Sequence, residues 1–255
     1  RRAWVAELYR QYGADPGIFA PLFLNLVYLE PGEALFQSAG VLHAYLRGTG
    51  VELMAESDNV VRAGLTEKYV DVDLLNRVVT FRAQSPERVE PRPADGAAEI
   101  VKPCDSGPLL LVYDTPTEDF RLYRVDFDRA READASEPST GSRTPARGVA
   151  FETSRHPEGR GPDRSVGEFH CGPAPCILAC ASGEVSVGEV PVGSEATPRP
   201  VTLAPGHSAF IPARVSRFRV SGTGIAFIAT SGIVDGGQST ASTSSAQRAP
   251  GPGRQ

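Results

Sequence analysis

The hydrophobic pattern along the chain begins with a helical period and soon gives way to short strands. Arg1-Arg2-Ala3-Trp4-Val5-Ala6-Glu7-Leu8-Tyr9 places Trp4 and Leu8, with Val5 and Tyr9, on one face of an amphipathic helix. A chain that opens inside such a helix is expected to lack residues ahead of it. After the turn at Gly13-Ala14-Asp15-Pro16-Gly17, the run from Leu22 to Leu29 is continuously apolar and has the length of a buried strand. Pro31-Gly32-Glu33-Ala34 predicts a tight turn into a strand at Leu35-Phe36-Gln37. Further strands are predicted over His43–Leu46 and Gly50–Ala55, around Gly48-Thr49-Gly50. The pattern breaks between Ser57 and Leu65, as in a loop, and Asp71 then caps a short helix that runs to Val78.

Residues 83 to 108 are Pro-rich and polar and predict a connecting segment. Strands are predicted at Leu109–Tyr113 and at Phe120–Val125, the second with clear alternation. Residues 129–168 have few apolar anchors among Arg, Glu, Ser, Pro and Gly, the composition of a disordered surface insertion. Six more short strands follow, at 175–180, 184–187, 201–203, 209–212, 218–220 and 225–229. Short strands separated by Pro-Gly turns predict a jelly roll or related barrel. Residues 234–255 are rich in Gly, Ser, Thr and Pro and predict an unstructured tail.

With 255 residues the chain can bury one large core or two smaller ones. No apolar run approaches the ~20 residues that span a bilayer. A net charge of −5 with no basic, aromatic-lined stripe argues against a nucleic-acid partner. No secretory leader pattern occurs at the start, so the expected compartment is the cytoplasm. Cys104, Cys171, Cys176 and Cys180 form no C-x-x-C pair and read first as small buried hydrophobes; a zinc site using His170 and Cys171 is the alternative. The only lysines are Lys68 and Lys102, against twenty-four arginines, so an ammonium at position 68 stands out.

The candidate chemistry is concentrated between His43 and Lys68. His43 lies in an apolar stretch, where a histidine is either a hydrogen-bonded core residue or a metal ligand. One imidazole cannot hold zinc, which takes three or four protein ligands. Glu52 is either an exposed strand carboxylate or a group that binds sugar hydroxyls. Asp58 and Arg62 are four residues apart and either pair with each other or serve a substrate. The planar guanidinium of Arg62 suits an oxyanion or a phosphate, and Lys68 can add a point charge to the latter. The other histidines, His156, His170 and His207, are not placed to complete a site with His43.

This segment resembles the type I mannose-6-phosphate isomerases. The resemblance runs through Asp15-Pro16-Gly17, Pro31-Gly32-Glu33-Ala34, His43-Ala44-Tyr45 and Ser57-Asp58-Asn59-Val60-Val61-Arg62-Ala63-Gly64-Leu65-Thr66, covering residues 1 to 82. A weaker likeness to the family's terminal lobe covers Ile177–Gly183 and Leu203–Ala213. It implies an all-β cupin fold of jelly-roll barrels with a small helical element, truncated at its N-terminus. Residues 1–82 would be the remaining part of the catalytic cupin domain and 83–233 a second cupin-like jelly roll. The implied activity is zinc-dependent interconversion of mannose 6-phosphate and fructose 6-phosphate through a cis-enediol, with the product available for mannose activation. By the same resemblance His43 is a Zn2+ ligand, Arg62 is catalytic, and Glu52, Asp58 and Lys68 contact substrate. The family has Thr-Pro-Lys where this chain has Thr66-Glu67-Lys68, and the Gln-x-His motif that supplies two further zinc ligands is absent. The chain alone is therefore expected to be inactive. A non-catalytic cupin that binds a sugar phosphate is the alternative.

Overall fold

The computed structural model describes residues 1–56, 60–94, 99–103, 107–130, 165–191 and 199–232. The predicted opening helix forms as α1 (Arg2–Tyr12) and ends at Gly13, whose φ of 68° suits glycine. Leu8 is the residue it buries; Tyr9, expected on the same face, is 58% exposed. A 3-10 turn (Pro16–Phe19) and the short helix α2 (Ala20–Phe23) pack back onto α1 and bury Ile18 and Pro21. The Arg1 guanidinium donates to the carbonyls of Pro21 and Leu24 at 2.9 and 2.8 Å, placing a cation at the carboxyl end of α2.

The expected strand over Leu22–Leu29 does not form. Its first residues lie in α2 and the rest is extended without a ladder, with Phe23 83% and Tyr28 70% exposed. The strands expected over His43–Leu46 and Gly50–Ala55 likewise find no partner among the described residues. Apolar patterning makes a strand only where a neighbouring strand satisfies its backbone, and here none does. β1 (Ala34–Phe36) does form, antiparallel to β2 (Glu87–Val89). The helix predicted after Asp71 is α3 (Val72–Val78); the Asp71 carboxylate accepts from Leu74 N at 2.9 Å.

The core lies further along the chain. After β3 (Arg92–Pro93), β4 (Val101–Pro103) and β5 (Pro108–Tyr113) come eight strands: β6 (Phe120–Ala130), β7 (Ser165–Cys171), β8 (Cys176–Ser182), β9 (Val185–Glu189), β10 (Val201–Leu203), β11 (Ser208–Ile211), β12 (Arg217–Gly222) and β13 (Ile225–Ser231). They pair as β6-β13-β8-β11 in one sheet and β7-β12-β9-β10 in the other. This is the wrapping of a jelly roll. β5 and β3 widen the first sheet, and β4 the second.

Alternation supplies the core. Cys176, Leu178 and Cys180 point inward from β8, and Ala226 and Ile228 from β13. Phe169 of β7 and Phe218 of β12 stack 5.8 Å apart. Leu178 and Ile228 are fully buried, each burial stabilising by about 1.5–3 kcal/mol. At the β8–β9 corner Gly183 has φ +75°, and a Cβ there would overlap the Thr223 carbonyl.

Most of the expected insertion at 129–168 falls on 131–164, outside the described residues, as does the tail from 233 onward. The expected boundaries need correction. Residues 129–130 end β6 and 165–168 begin β7, because the ladders continue there: Pro108 opposes Ala130 and Gly222 opposes Ser165. Short ladders also occupy the connector expected over 83–108, as β2, β3 and β4.

The Tyr113 hydroxyl of β5 ties the opening segment to the sandwich by donating to the Gly32 carbonyl at 2.9 Å. Beside the β1–β2 ladder, Arg88 bridges Glu33 at 2.7 Å and the Tyr28 carbonyl at 2.8 Å. Behind them, Tyr123 is fully buried. Its hydroxyl donates to Glu99 at 3.0 Å and accepts from Ile100 N at 3.1 Å, while Arg92 closes on Glu99 at 2.7 Å.

Candidate active site

His43, Tyr45 and Glu52 converge without any sheet to hold them. In the extended stretch at 41–46, residues two apart share a side, so His43 and Tyr45 project together. Their rings meet edge to face at 6.1 Å. The glycines at 48 and 50 turn the chain back and bring Glu52 against both. Tyr45 donates its hydroxyl proton to Glu52 Oε1 at 2.9 Å, and His43 Nε2 lies 4.0 Å from that oxygen. Partial burial of the hydroxyl, followed by the hydrogen bond and charge of Glu52, pushes the Tyr45 phenol up to about 12. Most of the Tyr45 ring nevertheless stays exposed.

His43 Nδ1 sits 3.1 Å from the Val41 carbonyl. With the proton on Nδ1, that carbonyl accepts it and Nε2 keeps its lone pair facing Glu52. The histidine alternative of a core residue is thereby excluded, since His43 is exposed. An imidazole nitrogen and a carboxylate are both donor types that zinc accepts. Among the described residues, however, no group of three His, Cys, Asp or Glu side chains could hold a metal. The described residues therefore do not complete a zinc site.

Arg62 reaches the region by a different route. Asp15 caps the 3-10 turn by accepting from Gly17 N at 2.7 Å and also accepts from Leu65 N at 3.0 Å. This carboxylate pins the loop after Arg62 to the opening helices. Leu65 itself takes φ +54°, a left-handed conformation that the Asp15 bond helps to hold. Among the described residues the Arg62 side chain has no hydrogen-bond or ion-pair partner and is half-buried. Lys68 is exposed, with its backbone N–H donating to Thr66 Oγ1 at 3.1 Å. Asp58 falls outside the described residues, so its pairing with Arg62 does too.

The structure therefore gathers His43 with Glu52 and leaves Arg62 and Lys68 without a bond to that pair. It adds Tyr45, to which the sequence reading assigned no role. The signal for it was the two-residue spacing from His43. The alternative zinc site at His170 and Cys171 does not assemble: neighbours on β7 point to opposite faces, His170 exposed and Cys171 buried.

No family model matches the chain. Similarity to individual proteins is strong, however. Mannose-6-phosphate isomerase of Bos taurus is 45% identical over 121 residues, which is 47% of this chain and 26% of that protein. The enzyme of the same name from Emericella nidulans is 38% identical over 143 residues, 54% of this chain and 30% of the relative. Over the matched residues the chain is similar to the mannose-6-phosphate isomerases. A single-residue variant of phosphomannose isomerase from Salmonella typhimurium superimposes with a TM-score of 0.55 at 28% identity, over 90% of this chain and 45% of that one. The Salmonella enzyme bound to fructose 6-phosphate and zinc gives 0.52 at 29% identity, over 89% and 44%. The mostly β architecture is thus that of the cupin isomerase. The chain spans about a quarter of the length of these curated isomerases and just under half of the Salmonella structures.

Proposed function

We propose that this chain is part of a zinc-dependent aldose–ketose isomerase that interconverts mannose 6-phosphate and fructose 6-phosphate. The observation that carries the reading is the 45% identity to the bovine isomerase. The convergence of His43 and Glu52 supports it. Residues 1–82 belong to the catalytic cupin and 83–233 to the second, with work in the cytoplasm and a product that serves mannose activation towards GDP-mannose.

The reaction carries a proton between C1 and C2 through a cis-enediol, and negative charge develops on the adjacent oxygens. Arg62 is the catalytic residue whose guanidinium meets that charge with two parallel N–H bonds. An arginine with no partner among the described residues, on a loop pinned by Asp15, suits that work. Glu52 and Asp58 take sugar hydroxyls, and Tyr45 fixes the Glu52 carboxylate. Lys68 supplies an exposed ammonium for the phosphate. His43 is a zinc ligand, and the ligands that complete the set lie outside the described residues. Alone, the chain is inactive.

A second reading, a non-catalytic module that binds a sugar phosphate, rests on the described residues alone, which bring no three metal-ligating side chains together. One experiment separates the two. A chimera in which this chain replaces the matching part of the Salmonella enzyme is assayed with fructose 6-phosphate. Turnover to mannose 6-phosphate supports the isomerase. A folded chimera that binds fructose 6-phosphate without turnover supports the module.

A further inference from the structure

The jelly-roll core holds two thiols in contact. Cys171 ends β7 in one sheet and Cys176 begins β8 in the other, so the Gly172-Pro173-Ala174-Pro175 turn carries the chain from sheet to sheet. Their sulfurs are 2.7 Å apart, about 0.7 Å beyond a covalent S–S bond. The Ala174 carbonyl draws both into the same corner, at 3.4 Å from Cys171 Sγ and 3.9 Å from Cys176 Sγ. The backbone on each side is fixed: Cys171 N donates to Ser216 O at 2.9 Å, and Cys176 lies in register with Ile211 and Thr230. Both residues are 1% exposed, yet Pro173 and Pro175 above them are at the surface. Cys180, also on β8, is turned towards the carbonyls of Ser182 and Gly183 and stays out of the pair.

We infer that Cys171 and Cys176 are an oxidation site that closes to a disulfide, joining the two sheets of the jelly roll, when a small hydroperoxide reaches the turn. Hydrogen bonds from Cys171 and then Thr230 hold the Cys176 thiol below its usual range against its burial, while the same contact raises Cys171. Either sulfur can donate in this contact; with the shared proton on Cys171, Cys176 is the attacking thiolate. It displaces hydroxide from hydrogen peroxide as the O–O bond breaks, leaving a sulfenic acid on Cys176; the hydroxide takes a proton and leaves as water. The Cys171 sulfur then attacks the Cys176 sulfur and expels the sulfenic oxygen as a second water. Two thiols are oxidised by two electrons, and one peroxide is reduced to two waters. Gly-Pro-Ala-Pro is long enough to span the bridge because the sulfurs already touch.

The test treats the purified folded chain with hydrogen peroxide, denatures it, alkylates free thiols and maps the tryptic peptide carrying Cys171, Cys176 and Cys180. No Lys or Arg separates these residues, so one peptide reports on all three. The expected product carries one alkyl group, on Cys180, and lacks the two thiol hydrogens of Cys171 and Cys176; dithiothreitol before alkylation restores three alkylated cysteines. With Cys171→Ser, Cys176 should instead accumulate as sulfenic or sulfinic acid. Alkylation of both Cys171 and Cys176 after treatment, or a bridge that uses Cys180 or Cys104, would overturn the inference.

Discussion

The Asp15 carboxylate and the Leu65 amide are joined at 3.0 Å across fifty residues of sequence. The other oxygen of the same carboxylate accepts from Gly17 N at 2.7 Å. A single side chain thus caps a helical turn and fixes the strained Leu65, three residues after Arg62. Asp15→Ala leaves two partly buried N–H groups without an acceptor, a cost of about 1–3 kcal/mol. For a chain of this size that lowers Tm by about 2–4 °C per kcal/mol, measurable by calorimetry. An unchanged Tm would mean that the loop is held by something else.

Gly64 makes that approach possible. An added Cβ would sit 2.9 Å from Asp15 Oδ1 and 3.5 Å from Gly17 Cα. Gly64→Ala should therefore destabilise by about 1–3 kcal/mol through crowding. The effect should largely vanish in an Asp15→Ala background, since the crowded oxygen is then gone. A double-mutant cycle measures this coupling, and additive effects would count against it.

Tyr123 gives the fold an alkaline limit. Burial pushes its phenol well above 10, with the Glu99 charge and hydrogen bond adding to the rise against the donors Val101 and Ile100. The folded chain keeps this proton where the unfolded chain has lost it, so stability is fully present below pH ~10 and falls as pH rises beyond it. Tyr123→Phe removes that slope, at a cost near neutrality of about 1–3 kcal/mol from the unsatisfied Ile100 N–H and Glu99. Urea titrations at pH 8 and pH 11 compare the two proteins. An identical alkaline loss in both would rule Tyr123 out as its source.

Arg62→Lys tests chemistry apart from folding. In a full-length isomerase carrying this chain, lysine keeps the charge but cannot make two parallel bonds. kcat/KM should fall by about 10²-fold, equivalent to about 2.7 kcal/mol, with little change in Tm. Unaltered kinetics would leave Arg62 a surface cation.

Where side chains alternate against a partner strand, the sequence was legible. β5, β6 and β8 to β13 all fall on short apolar or alternating runs bounded by turns, because burial against a partner strand fixes both the strand and its register. The apolar runs at Leu22–Leu29, His43–Leu46 and Gly50–Ala55 misled, since no pairing partner for them is present among the described residues. β7 was hidden by Gly167, Glu168 and His170, whose polarity masks inward Phe169 and Cys171. Of the site, His43 and Glu52 could be named from sequence and do meet. Tyr45 could be assigned its role only once the fold of Gly48–Gly50 was known, and the Asp15–Leu65 tie joins residues too distant for any local pattern to relate.

Zinc content is the most direct test of the claim that His43 belongs to an isomerase site shared with residues beyond those described here. The chain and the Salmonella chimera are each dialysed and analysed for metal. The account predicts far less than one zinc per molecule in the chain alone, since one imidazole cannot hold it. It predicts about one in the active chimera, lost together with activity in His43→Ala. Stoichiometric zinc bound to the chain alone through His43, or an active chimera that keeps its zinc without His43, would contradict it.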